Sequence, residues 1–163
     1  INIDVEETGT TFEENSMLKA KAVFEATGLP SIADDSGLEV LALDCRPGVM
    51  SARYSGSHGD DAANNEKLLA ELADKPDRSA RYVCVICMAF PDGRELEARG
   101  ECYGEILKEK RGNGGFGYDP LFYFPQFGKT FAEISSEEKN EVSHRNAALK
   151  AFEKLWEKEI NDK

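Results

Sequence analysis

Cysteine, histidine, tryptophan and long apolar runs are all scarce in this chain of 163 residues. It has four cysteines, two histidines and one tryptophan, and no apolar run approaches the roughly 20 residues that a membrane-spanning helix needs. The cysteines include no second pair at the spacing of a zinc site, which favours reduced thiols in a protein core. We therefore expect no membrane partner and a cytoplasmic location.

Positive charge is also in short supply, and its distribution is uneven. The 20 lysines and arginines face 31 aspartates and glutamates, which gives a net charge of −11. This balance argues against nucleic acid or an anionic membrane surface as a partner. Between residues 106 and 150, however, seven cations face six anions, so this segment is close to neutral. A small anionic ligand is compatible with that part of the chain.

Helix-like and strand-like segments alternate along the chain, which predicts a single α/β domain over residues 1–163 with a mixed β-sheet. Thr11 is expected to cap a helix over Phe12–Thr27 that ends at Gly28. The turn formed by residues 91–94 predicts a hairpin between strands at 81–90 and 95–107. The remaining expected elements are strands at 2–5, 31–33, 38–43 and 121–124 and helices at 62–73 and 144–160.

Two adjacent carboxylates, Asp34 and Asp35, follow the short apolar segment Ser31–Ala33 and precede a Ser-Gly pair. At the end of a strand they would point to opposite faces, so that one is held in the structure and the other faces a cleft. Carboxylate oxygens are the ligands that Mg²⁺ prefers, although Asp-Ser-Gly also forms ordinary β-turns. Glu14 has two open interpretations, a helix cap paired with Thr11 or an inward-facing carboxylate near a metal.

The segment from Gly112 to Pro120 is rich in glycine and contains one bare aromatic residue, Phe116. Its glycines match a dinucleotide-binding pattern, but the strand before it and the helix after it that this pattern requires are missing. Glycines let the backbone approach a ligand closely. Phe116 has two open interpretations: it stacks on a purine base, or it packs into the core.

A third polar cluster begins the last predicted helix. Ser143 is a good N-cap, and His144 and Arg145 follow it in the first turn. Cations are mildly unfavourable at a helix N-terminus, so the pair indicates an electron-rich ligand at this end. An exposed helix start with incidental charges is the alternative.

Taken together, these motifs resemble the inosine/xanthosine triphosphate pyrophosphatases, which remove non-standard purine nucleotides. The resemblance rests on the order and spacing of Asp34–Gly37, Gly114–Pro120, Lys139 and Ser143–Arg145, and it extends to Thr11–Asn15 and Pro47–Tyr54. It covers nearly the whole chain. It implies an elongated sheet flanked by helices, two lobes with a central cleft, and a homodimer.

The resemblance also implies an activity and a set of site residues. The activity is Mg²⁺-dependent hydrolysis of inosine, deoxyinosine and xanthosine triphosphates to the monophosphate and pyrophosphate. Asp35 would be the catalytic carboxylate and a metal ligand, Glu14 a second metal ligand and Asp34 a support. The implied substrate-binding residues are Ser36, Phe116, Gly117, Tyr118, Asp119, Lys139, His144 and Arg145.

One feature of the family is absent from the sequence. Its members begin with a strand followed by a phosphate-binding loop of Ser/Thr-x-Asn-x-x-Lys type, whereas this chain opens at Ile1 without that loop. We therefore expect about 25–40 further residues upstream in the gene, the length of one strand and one helix. Two other functions stay open, a pyrophosphatase for other modified nucleotides and a nucleotide-binding remnant without catalysis.

Overall fold

The computed structural model describes residues 3–162, which form an α/β fold of four α-helices and six strands. The helices are α1 (Phe12–Thr27), α2 (Asp61–Glu71), α3 (Ser136–Val142) and α4 (His144–Asn161). The strands are β1 (Ser31–Val40), β2 (Arg46–Pro47), β3 (Ser79–Ala89), β4 (Glu95–Ile106), β5 (Phe122–Phe124) and β6 (Lys129–Thr130). The α/β class predicted from the sequence is confirmed. Within residues 3–162, no helix is both long and apolar enough to cross a membrane.

The strands form one sheet in the order β2-β1-β3-β4-β5-β6. Antiparallel pairing joins β1 to β2, β4 to β5 and β5 to β6. Strands β3 and β4 are connected by the predicted tight turn, in which the Phe90 N–H donates to the Arg94 carbonyl at 3.0 Å. Gly93 takes a φ of 88° in that turn, a conformation that glycine adopts without steric cost.

Helix α1 has the predicted bounds and caps. The Thr11 side chain accepts a hydrogen bond from the Glu14 N–H, and Gly28 ends the helix with a φ of 71°. Ser16, fully buried on α1, donates to the carbonyls of Ala33 in β1 and Val85 in β3 at 2.9 and 3.1 Å. This hydroxyl therefore ties α1 to two strands of the sheet.

Strand β1 differs from the sequence prediction. Separate strands were expected at 31–33 and 38–43, but β1 continues without interruption from Ser31 to Val40. The prediction was wrong because tertiary contacts override the local turn preference. Leu38 and Val40 are fully buried, and the Leu38 N–H donates to Ser51 Oγ at 2.8 Å. The strand predicted at 38–43 ends early, since residues 41–43 form a 3₁₀ turn.

Two other differences concern a short helix before α4 and the strand expected near the N-terminus. The short helix α3, which Ser135 caps through a reciprocal pair of hydrogen bonds with Glu138, was not predicted. Of the strand expected at 2–5, residues 3–5 are not in a strand, and residue 2 lies outside the described residues.

The chain divides into two compact units. The first contains the residues up to Ser36, Val83–Glu101 and the residues from His144 on, and its small core includes Cys84, Ile86, Ala98, Ala148 and Phe152. The second contains Gly37–Tyr82 and Cys102–Ser143. Its larger core is aromatic, with the ring centroid of Phe122 at 4.4 Å from that of Tyr82 and at 4.9 Å from that of Phe131.

In the first unit, a glycine of β4 sets the distance to α4. A Cβ atom on Gly100 would lie 2.1 Å from the Ala148 nitrogen and 2.4 Å from the His144 carbonyl oxygen. Both are backbone atoms of α4, so they have little freedom to move aside. Gly100 therefore lets the start of α4, which carries His144 and Arg145, pack directly on β4.

The four cysteines are all free thiols. Cys84, Cys87 and Cys102 are buried, as predicted, and burial raises the pKa of each to about 11. The prediction of a core position was wrong for Cys45, which is only half-buried.

We expect iodoacetamide to label Cys45 first when the folded protein is treated at pH 8. The thiolate is the reacting form, and a thiol of pKa about 11 is ionised in roughly one molecule per thousand at that pH. Mass spectrometry of tryptic peptides before and after unfolding in urea measures the order of labelling. Labelling of Cys84 or Cys102 in the folded protein at the rate of Cys45 would contradict this expectation.

Candidate active site

Strand β1 presents its two acidic residues in different environments. The Asp34 side chain is exposed, whereas that of Asp35 is only 12% exposed. Lys19 of α1 places its ammonium group 3.2 Å from Asp35 Oδ1 and 3.0 Å from Glu7 Oε1. The other oxygen, Asp35 Oδ2, is buried and has no hydrogen-bond partner among the residues that the structure describes.

The surroundings of Asp35 raise the pKa of its carboxyl group. Burial is the largest cause, and the negative charge of Glu7 acts in the same direction. The Lys19 ammonium and the Ser36 backbone N–H oppose the shift by stabilising the charged form. A carboxylate with a raised pKa is a stronger base than an ordinary aspartate, which suits a group that accepts a proton.

The environment of Asp35 fits a magnesium ion for which the protein supplies few ligands and substrate phosphates and water supply the rest. In the described range, no group of three or more histidines, cysteines and acidic residues is arranged to hold a metal. Mg²⁺, however, is commonly bound through one or two carboxylates together with substrate phosphates and water. The partnerless Oδ2 of Asp35 is a suitable carboxylate donor for such a site.

Glu14 lies at the start of α1, where it caps the helix. Its Oε2 accepts a hydrogen bond from the Thr10 N–H at 2.9 Å, while its own N–H donates to Thr11 Oγ1 at 3.1 Å. The interpretation of Glu14 as an inward-facing side chain was wrong, because Glu14 is exposed. The cap uses one of the two carboxylate oxygens.

The first turn of α4 carries the predicted His-Arg pair. His144 is buried and Arg145 is exposed, and Ser143 precedes them with the extended backbone that N-cap residues adopt. Arg145 also belongs to a charged environment around the Cys84 thiol. Besides burial, that thiol is affected by the charges of Asp34, Arg145, Asp35 and Lys19. The charges of both carboxylates, of Lys19 and of Arg145 therefore all influence the pKa of one buried thiol in the first unit.

In the second unit, the buried carboxylate of Asp119 organises the glycine-rich loop. Its Oδ1 accepts from the Tyr82 hydroxyl at 3.0 Å, and its Oδ2 accepts from the Phe116 N–H at 3.0 Å and from the Lys139 ammonium at 2.5 Å. Asp119 is 2% exposed, so its charge is compensated by protein donors. Burial and the Asp119 charge raise the pKa of Tyr82 far above its usual range, which keeps its hydroxyl protonated as a donor.

Phe116 projects from this loop into solvent. It is 65% exposed, which excludes the interpretation that its ring packs into the core. The Lys139 ammonium lies 4.3 Å from the centroid of the ring. Gly115 permits the loop to pass close to Asp119, because a Cβ atom there would lie 2.2 Å from Asp119 Oδ2. The result is an exposed aromatic ring on a loop whose backbone is held by the buried carboxylate of Asp119.

The other predicted binding residues differ in their access to solvent. The Tyr118 side chain is buried, and its hydroxyl donates to the Ser51 carbonyl at 2.7 Å, so it supports the loop from inside. Ser36 is half-buried next to Asp35, and Gly117 takes a φ of 60°. The backbone amide of Gly117 is bound by side chains of α2 on both sides.

Sequence reasoning missed the residues that hold these groups in place. Lys19 lies within a regular helical pattern, and Tyr82 lies within an apolar strand, so neither carries a local signal of its own. The Lys19–Asp35 and Tyr82–Asp119 contacts join residues 16 and 37 positions apart. Only the folded chain shows these pairings.

Comparison with known proteins gives a consistent result. Residues 1–155 match the Ham1 family. A protein from Desulfotalea psychrophila named dITP/XTP pyrophosphatase is 59% identical over 88% of this chain and 64% of its own length. Proteins of the same name from Desulforamulus reducens and Staphylococcus aureus are 55% and 49% identical, over 90% and 98% of this chain and 74% and 82% of their own lengths. The chain thus spans just under two thirds of the first relative.

Solved structures show the same relationship. The Staphylococcus aureus Ham1 protein superposes with a TM-score of 0.93 at 49% identity, over 97% of this chain and 82% of the other. A HAM1 protein from Coxiella burnetii superposes with a TM-score of 0.91 at 45% identity, over 96% and 81%. The fold class expected from the resemblance is confirmed by these neighbours. The chain belongs to the Ham1 family.

Proposed function

We propose that this chain hydrolyses dITP, ITP and XTP to the corresponding monophosphate and pyrophosphate. The observation that carries the proposal is the carboxylate of Asp35, which is paired with Lys19 through one oxygen and has a buried, partnerless second oxygen. The relatives named dITP/XTP pyrophosphatase support it. A homodimer in the cytoplasm that acts on the nucleotide pool belongs to the same proposal.

The chemistry requires charge neutralisation and alignment more than covalent participation of the protein. The oxygen of a water molecule bonds to the α-phosphorus, and the anhydride bond to the β-phosphate breaks. Pyrophosphate leaves with the bond electrons, and the proton of the water passes to Asp35. Lys19 holds Oδ1 of that carboxylate in place, and the raised pKa of Asp35 favours proton uptake.

Asp35 would hold Mg²⁺, with Glu14 as a second carboxylate ligand through the oxygen that the helix cap does not use. When bound, the ion would neutralise charge on the phosphates of the substrate. Ser36, beside Asp35, would contribute a hydroxyl to substrate binding, and Asp34 would support the strand from its exposed side.

The base would be recognised by stacking and by hydrogen-bond donors. Phe116 would stack on the purine, with Lys139, Asp119, Gly117 and Tyr118 holding the loop and the nucleotide. Arg145 and His144 would donate to the 6-oxo group of hypoxanthine or xanthine. Adenine has an amino group at that position, so both donors would lose their acceptor. For His144, which is buried, an unpaired donor costs about 1–3 kcal/mol.

We expect Asp35→Asn to lower kcat by at least about 10³-fold, the size of losing one electrostatic catalytic group. The amide oxygen still accepts from Lys19, so thermal unfolding should stay close to that of the parent chain. Asp34→Asn is the matched control, because it removes the same charge from the exposed neighbour, and its loss should be much smaller. If Asp35→Asn retained a tenth of the parent activity, the proposal that Asp35 is the catalytic base would be wrong.

With Mg²⁺ present, dITP, ITP and XTP should exceed ATP in kcat/KM by at least about 100-fold, as expected when a polar site loses its acceptor. Arg145→Ala should narrow this ratio by slowing the oxopurine substrates. Lys150→Ala, an exposed cation of the same helix, should leave the ratio unchanged. Pyrophosphate release measures all rates, and equal rates on ATP and ITP would refute the specificity.

Phe116→Ala should weaken nucleotide binding by roughly tenfold or more, because stacking on one aromatic ring contributes about 1–3 kcal/mol. Since the ring is 65% exposed, the melting temperature should change little. Phe122→Ala is the matched control, because removing this fully buried ring should lower the free energy of unfolding by about 3–5 kcal/mol. A large drop in the melting temperature of Phe116→Ala would show instead that the ring stabilises the fold.

A further inference from the structure

The backbone of Gly117, directly after Phe116, is bound on both sides by α2. Its N–H donates to Asp61 Oδ2 at 2.9 Å, and its carbonyl accepts from Asn65 Nδ2 at 3.0 Å. Asp61 and Asn65 are four residues apart, so they lie one above the other on the same face of the helix. The two side chains therefore bind the two peptide groups that flank the α-carbon of Gly117.

Helix α2 is well suited to hold a loop, because its own position is fixed independently. Asp60 caps it by accepting from the Ala63 N–H, which leaves the neighbouring Asp61 carboxylate for Gly117. Asn64 accepts from the Ser55 N–H at 2.8 Å, and Leu68 is fully buried in the core of the second unit. Asp61 and Asn65, which we call the clamp, therefore connect a packed helix to the loop at Gly117.

The hydrogen bonds from α2 add to those by which Asp119 holds the backbone of Phe116. Gly117 has a φ of 60°, and glycine is the residue with the most backbone freedom to lose on ordering. The Phe116 ring is exposed, so core packing does not hold it. Apart from the contact with Lys139, its orientation depends on hydrogen bonds to the backbone of Phe116 and Gly117.

Asn65 shows that this arrangement has a cost elsewhere. The residue is 3% exposed, and in the described part of the chain its Oδ1 is buried without a hydrogen-bond partner. A buried acceptor in this state destabilises a fold relative to an apolar side chain of the same size. The contribution of Asn65 is thus its Nδ2 donor, which is used on Gly117.

We propose that Asp61 and Asn65 are positioning residues. They fix the backbone of Gly117 and thereby hold the Phe116 ring in the orientation in which it stacks on a purine base. The proposal rests on the proposed function of Phe116 in base binding. A preorganised loop avoids the entropy cost of ordering when the nucleotide binds. The two residues act through Gly117 and do not touch the nucleotide themselves.

Amide hydrogen exchange at Gly117, followed by NMR on the ¹⁵N-labelled chain, tests the clamp directly. Asp61→Ala should speed exchange of this N–H by at least about tenfold, because the acceptor is lost and the loop opens locally. Asp61→Asn keeps an acceptor oxygen and should restore most of the protection. Glu66→Ala, an exposed acidic residue of the same helix, is the charge-matched control and should leave exchange at Gly117 unchanged.

Steady-state kinetics with dITP tests the consequence for binding. Asp61→Ala should raise KM by roughly tenfold, the size of one lost charged hydrogen bond, with kcat within about twofold of the parent. Because Asp61 is exposed, the variant should fold and melt near the parent temperature. A fall in kcat with unchanged KM, or faster exchange without any change in KM, would overturn the positioning role.

The two measurements separate this inference from the proposed function. Unchanged exchange in Asp61→Ala would overturn the clamp even in a fully active enzyme. If the parent chain hydrolyses no purine triphosphate, the proposed function and the binding role fall together, while exchange at Gly117 still decides whether the clamp exists.

Discussion

The structure of the second unit depends on one buried negative charge, that of Asp119. A carboxylate that is 2% exposed is stable only when donors replace the water that it has lost. Its three donors come from β3, from the loop itself and from α3, in the form of Tyr82, Phe116 and Lys139. Removing one partner of a buried ion pair typically costs about 3–5 kcal/mol. The same charge thus joins three elements and shapes the loop that presents Phe116.

The first unit also contains a largely buried carboxylate, that of Asp35, but the fold compensates its charge less completely. Asp35 has one protein cation, Lys19, which is shared with Glu7, and its second oxygen is left without a partner in the described residues. Where Asp119 is saturated by the fold, Asp35 is incompletely satisfied, and burial raises its pKa. A buried carboxylate that lacks a partner and also has a shifted pKa is more characteristic of a functional site than of a structural ion pair. The contrast supports the proposal that Asp35 takes part in the chemistry, while Asp119 organises the loop.

Much of the fold follows from short-range patterns, because its signals are local. The caps of α1, the turn at Gly93 and the start of α4 at His144 each depend on residues within a few positions of one another. The error in β1 has the opposite origin. Asp34–Gly37 favours a turn when read alone, but the burial of Leu38 and its hydrogen bond to Ser51 extend the strand. The inward orientation proposed for Glu14 was wrong for the same reason, since helical periodicity alone does not reveal which side of α1 faces solvent.

The sequence by itself determined the α/β class, the main helices, the hairpin and the candidate residues for the active site, since residue type and local spacing encode all of these. Tertiary structure decided how buried each of those residues is and which groups it contacts. It left the Phe116 ring in solvent, buried Tyr118, used Asp119 as an anchor and brought Lys19 to Asp35. The physical reason is that burial and hydrogen-bond partners arise from contacts between distant segments. Tyr82 meets Asp119 across 37 positions and Asn65 meets Gly117 across 52, and no local pattern records such pairings.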